Sequence, residues 1–189
     1  VTRRLREIPL LTAVAIVSAV LIVIVHEIGH TIAARLLGDS AATFTLFERT
    51  ATSTCIGCNE FDPQALSALG RLLVSIAGVA ATLICAIVLL GVLRQVAGHT
   101  WLRNALRVAL ALFVADLPFQ WVQAWWRWEP GRRYPTNVDF EDTVLLAQQN
   151  WNIAPSVLAL GAGVAICLVI VGFARAALAT GRNKPAIAA

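Results

Sequence analysis

The sequence has no methionine, one tyrosine and three histidines, and charged residues fill only 14% of its 189 positions. A soluble domain carries nearer a quarter charged residues, so an ordinary soluble fold is excluded. Without a methionine, Val1 is expected to be a non-standard start or a trimmed end. No internal repeat or low-complexity tract is present, and the chain reads as one domain, residues 1–189. With so few histidines, imidazole chemistry is confined to His26, His30 and His99.

Apolar residues dominate: 58% of the chain is hydrophobic. They come in long blocks, Leu10–Val25, Leu72–Leu93, Ala105–Val122 and Ile153–Ala174, each close to the length that crosses a ~30 Å hydrocarbon core as a helix. The expected fold is an all-α integral membrane protein of about four transmembrane helices, with spans near 9–37, 68–94, 104–126 and 153–175. Outer loops are expected near 39–62 and 127–150. The net charge of +4 does not point to nucleic acid. Arg3, Arg4 and Arg6, then Arg94, Arg103 and Arg107, then Arg175, Arg182 and Lys184 fall on one side of a four-span chain. The positive-inside rule puts that side, and both termini, in the cytoplasm. Trp121, Trp125, Trp126, Trp128 and Trp151 gather at the opposite interface as anchors. The apolar N-terminal run is too long for a cleaved signal peptide and reads as a retained anchor.

The first helix is expected to start about Pro9, in its first turn, and to end at Gly38. Ala42–Phe47 and Thr50–Cys55 predict a short outer hairpin. Asp62-Pro63 reads as the cap and first residue of the second helix. Ala77 with Ala81, and Gly78 with Thr82, give small-residue spacing for close helix contact, as do Gly161, Gly163 and Gly172 in the last span. Thr136 or Asn137 would cap a short outer helix, Val138–Gln149, with an acidic first turn.

Chemistry concentrates in His26-Glu27-Ile28-Gly29-His30. Four residues apart on a helix, the two imidazoles share a face and can bind one ion. Imidazole nitrogen suits Zn²⁺, and a catalytic site needs a third protein ligand and an open position. Glu27 can act as the general base and then acid. Polar groups this deep in an apolar helix are costly and call for a function. Leu10–Val25 rises ~24 Å of a ~30 Å core, which puts the motif in the outer half. His99 falls in a cytoplasmic loop, on the wrong side. Asp139 and Asp142 lie on the outer side, three apart and on one helical face. Asp116 is a rival; counted from Arg107 it stands only ~14 Å from the inner edge, a depth that fits His26 poorly. It could instead bond a ligand histidine from behind. Cys55-Ile-Gly-Cys58 is the one C-x-x-C and lies on the outer side, so a local disulfide is expected over a redox pair or zinc half-site. Cys85 and Cys167 read as packing residues in the spans.

The stretch Val23–Gly38 resembles the first motif of the site-2 protease family of intramembrane zinc metalloproteases. Ser75-Ile-Ala-Gly78 resembles the family's next helix, with Val79 where a proline is common. The chain has Ala115-Asp116-Leu117-Pro118 but no later Asp-Gly. It is most similar to a compact bacterial branch with an aspartate opening the last helix, matched here by Asp142-Thr-Val-Leu-Leu-Ala-Gln148. The resemblance implies Zn²⁺ held by His26, His30 and Asp142, with Asp139 next in order, and Glu27 as acid/base. It also implies a bacterial inner-membrane location and cleavage of a transmembrane or membrane-proximal polypeptide, with the hairpin holding the unwound strand. The second reading is a non-catalytic subunit packed with partner chains in a membrane complex; a third, a thiol–disulfide module, rests on Cys55 and Cys58 alone.

Overall fold

The computed structural model describes residues 2–49, 54–96, 100–127 and 139–179. His99, Trp128, the expected caps Thr136 and Asn137, Arg182 and Lys184 lie outside the described residues. The chain runs α1 (Thr2–Leu37), β1 (Thr43–Arg49), β2 (Thr54–Glu60), a 3₁₀ turn (Pro63–Ala65), α2 (Ala68–Gln95), α3 (Thr100–Arg127), α4 (Asp139–Trp151) and α5 (Pro155–Ala179). Helices α1, α2, α3 and α5 are long and apolar enough to cross a membrane. The protein is an all-α membrane protein of four spans, with a hairpin after the first and a short helix before the last.

Two helix starts differ from expectation. Helix α1 begins at Thr2 and carries Pro9 inside it. A proline removes one backbone bond, and a 36-residue helix absorbs that loss. Asp62-Pro63 opens the 3₁₀ turn and not α2: Asp62 Oδ1 accepts from Gln64 N–H at 2.8 Å. Ser67 is the cap of α2, its Oγ accepting from Gly70 N–H at 3.0 Å.

Gly38 ends α1 with φ +135, a conformation that suits glycine. The hairpin that follows is antiparallel, pairing Thr43 with Glu60 and Arg49 with Thr54. Its second strand is described over Thr54–Glu60, running beyond the expected Thr50–Cys55; residues 50–53 lie outside the described residues. A Cβ on Gly57 would lie 2.7 Å from Val23 Cγ1 and 3.1 Å from Glu27 Cγ. Glycine is thus required there twice, for this approach to α1 and for its φ of +67. Buried Asp39 clasps the base of the hairpin: its carboxylate accepts from Ala41 N–H at 3.0 Å and from Asp62 N–H at 2.7 Å. Arg35 Nε adds a 2.7 Å bond to the Ala42 carbonyl.

Helices α1, α2 and α3 pack on one another, α4 lies against α2 and α3, and α5 flanks α3. Helices α1 and α2 approach closely at Gly29, where a Cβ would fall 2.7 Å from the Ala77 carbonyl oxygen and 2.8 Å from Ala81 Cβ. The Ala77/Ala81 spacing therefore serves α1. At the other end of the bundle Ala86, Leu93, Leu110, Phe113 and Val114 form an apolar core. In α5, Gly163 would meet the Trp121 ring at 3.4 Å, whereas Gly161 and Gly172 have nothing within 4 Å among the described residues. Among the described residues these two glycines pack against nothing, because α5 lies at the edge of the bundle; Leu160 and Leu168 point outward, as lipid-facing side chains do.

Replacing Asp39 with alanine strands two backbone donors. It is expected to lower stability by about 1–3 kcal/mol, read as a lower midpoint in thermal unfolding of the detergent-solubilised protein. An unchanged midpoint would show that the carboxylate does not clasp the hairpin.

Candidate metal centre

His26 and His30 both point from α1 into the bundle, and both are buried. Each ring is fixed through one nitrogen. His30 Nδ1–H donates to the Val74 carbonyl at 2.6 Å, so the other ring nitrogen, Nε2, is free to act as a ligand. His26 Nδ1 bonds Asp116 Oδ2 at 2.9 Å. The two Nε2 atoms then converge on a single oxygen, Asp139 Oδ2, at 2.6 Å from His26 and 3.1 Å from His30. Three potential ligand atoms from residues 26, 30 and 139 all lie within 4.8 Å of one another. Tetrahedral zinc with bonds of 2.0–2.2 Å sets its ligands about 3.3 Å apart. Two imidazole nitrogens and one carboxylate oxygen match that donor set, and a small outward shift of the carboxylate would seat the ion.

The surrounding residues hold this geometry. Asp116 is itself tied by Thr82 Oγ1 at 2.8 Å and by Gln120 Nε2 at 3.4 Å. A carboxylate or carbonyl behind a ligand histidine is the usual arrangement for metal sites. Gly78 supplies the room: a Cβ there would run into both imidazoles. Asp139 is the first residue of α4, where the helix dipole favours a carboxylate. Burial raises its pKa, but hydrogen bonds and charge from His26 and His30 outweigh that and hold it below the ordinary carboxylate range. Ser75 Oγ meets Thr143 Oγ1 at 2.8 Å, and Thr143 donates to the Asp139 carbonyl at 2.7 Å. This chain of hydroxyls fastens the start of α4 to α2, one residue from the carbonyl that orients His30.

Glu27 projects toward β2, where Asn59 Nδ2 donates to its carboxylate. It lines, with His30, Asp139, Asp142 and residues 57–61, a cavity of about 670 Å³. The centre thus opens on a space large enough for a small-molecule or short-peptide ligand.

His26, His30 and Glu27 stand as a helical motif should place them. Asp139 meets both imidazoles, while Asp142, the first-named ligand, lines the cavity outside the three-residue group. Three residues further along α4 is ~4.5 Å of rise and most of a turn, enough to carry Asp142 away. Asp116 stands level with His26, not below it. Helix α3 begins at Thr100, which puts Asp116 ~24 Å along it, against ~28 Å for His26 counted from Glu7. Cys58 is disulfide-bonded, Cys85 and Cys167 are free, and the Cys55 side chain lies outside the described residues. Asn59 and Val74 carry no motif, and Thr82 and Thr143 carry only small-residue spacing and a place in the Asp142–Gln148 stretch, so their bonds to Asp116 and to the Asp139 carbonyl were not legible. The chain matches no protein-family model, no curated protein and no solved structure.

Two outcomes follow for the purified protein loaded with zinc. Asp139→Asn should lose most of the metal and Asp142→Asn should keep it, measured as zinc per chain by mass spectrometry; the opposite pattern would move the third ligand to Asp142. Asp116→Asn should weaken zinc affinity about 10–100-fold in a chelator competition, and wild-type affinity would remove its supporting role.

Proposed function

We propose that this protein is a zinc-dependent endopeptidase acting within or beside the membrane, resembling the site-2 proteases. The observation that carries the reading is the meeting of His26, His30 and Asp139 on one point, beside a carboxylate, Glu27, that faces a cavity. Bound by those three residues, zinc would supply Lewis acidity, polarising a scissile carbonyl and making water a better acid. The chain's own residues do the rest. Glu27 accepts the proton of the attacking water and returns it to the departing amine nitrogen. The Asn59 amide holds that carboxylate turned toward the cavity. His26 and His30 stay in one tautomer because Asp116 and the Val74 carbonyl occupy their Nδ1 atoms.

A membrane-spanning substrate would have to unwind before its carbonyls could be reached. In this reading β2, lining the cavity through residues 57–60, takes the strand-holding part that the sequence assigned to the hairpin. The basic bias of the chain ends supports an orientation with both termini in the cytoplasm and the cavity toward the opposite face.

Glu27→Gln should retain about one zinc per chain and lose at least ~10³-fold in turnover of a peptide substrate, in line with loss of the general base and its charge. His26→Ala should lose both zinc and turnover. A wild-type protein that binds no zinc and copurifies in fixed ratio with partner chains would replace this reading with that of a structural subunit.

A further inference from the structure

The peptidase reading leaves one charged side chain of the cavity without a task. Arg71 lines the same space as Glu27, His30 and Asp139, and it is the one cationic side chain among the residues that do. Its Nε is shielded from solvent and has no hydrogen-bond partner. Arg71 forms no ion pair among the described ones, although Glu60 also borders the cavity. A shielded guanidinium donor left unpaired is costly. Its place adds a second cost. Arg71 sits in the first turn of α2, behind the Ser67 cap, where the helix dipole disfavours a cation. Neither helix stability nor an internal ion pair accounts for it, and an anion arriving in the cavity would relieve both costs.

The helix fixes where that anion sits. Arg71, Val74 and Ser75 share a face at three- and four-residue spacing, and Val74 is the residue whose carbonyl orients His30. The ligating Nε2 atoms lie against Gly78, so Arg71, seven residues earlier on α2, stands about two turns, ~10.5 Å of rise, from the level of the metal centre. An extended peptide advances about 3.3 Å per residue, so the anion lies roughly three residues from the reacting bond, give or take the reach of the arginine stem. Nε and one Nη of arginine form a fork that matches a carboxylate side-on. We propose that Arg71 is a specificity-determining residue, receiving a substrate carboxylate from an acidic side chain or a free C terminus close to the cleavage point. This inference rests on the peptidase reading of the same cavity.

The test is binding to the full-length Glu27→Gln protein, zinc-loaded and in detergent micelles, so that peptide is held and not turned over. Three fluorescent hexapeptides of one sequence would be compared by anisotropy: one with a central glutamate and an amidated end, one neutral with a free C terminus, and one neutral and amidated. At least one carboxylate peptide should bind about tenfold or more tightly than the neutral amide, as a charged bidentate bond implies. Which one does so names the source of the carboxylate. Adding Arg71→Gln should erase the difference to within about twofold. Arg71→Lys, which keeps the charge and loses the fork, should retain only part of it, and it serves if the glutamine variant does not fold. A preference that survives in either variant at full size, an absence of preference, or no binding of any peptide would overturn the proposal. The two ideas fail separately. If Glu27 protein cleaves none of the peptides while the Arg71-dependent preference stands, the peptidase reading falls alone; if it cleaves them with no dependence on Arg71, the specificity assignment falls alone.

Discussion

Two imidazoles from one turn of α1 share a single carboxylate oxygen of α4 inside an apolar bundle, and much of the surrounding structure exists to permit it. Polar side chains at this depth are stable only with partners, and each here has one. Asp139 closes the group from a helix start, His26 leans on Asp116, and His30 leans on a main-chain carbonyl of α2. Removal of any partner leaves a buried polar group exposed to the apolar interior, which costs more than the bond itself contributes.

That constraint explains features that would otherwise look unrelated. Gly78 is small because two rings press against it. Gly29, inside the motif, is small because α2 must come close enough for the Val74 carbonyl to reach His30. Gly57 is small because β2 must lie against α1 for Asn59 to reach Glu27. The Asp39 clasp sets where the hairpin leaves α1, and the Ser75–Thr143 link sets where α4 begins. Function is thereby carried mostly by short-range packing at one end of the bundle, while the far end is a plain apolar core and α5 largely a lipid-facing flank.

The sequence disclosed the spans, the helical motif and the short list of aspartates, because long apolar runs and a four-residue spacing are local signals. It was less informative wherever the answer depended on how helices sit beside one another. Asp142 was favoured over Asp139 by its likeness to a family pattern, whereas the axial position of α4, tied to α2 by Thr143 and Ser75, puts Asp139 against both imidazoles. Asp116 was set too low because its depth was counted from Arg107, while α3 starts at Thr100. Asn59 was invisible: a lone asparagine in a strand carries no pattern until the strand is seen against Glu27. The second strand runs further than expected, to Glu60, since β-propensity marked only Thr50–Cys55 while pairing with β1 continues to Thr43.

The central claim is that the His26–His30–Asp139 group holds zinc, and X-ray absorption at the zinc edge of the purified full-length protein tests it most directly. The account predicts a first shell of nitrogen and oxygen at about 2.0–2.2 Å, with the outer-shell scattering of two imidazoles and no sulfur. A protein that takes up no zinc, or a shell containing sulfur at about 2.3 Å, would contradict it.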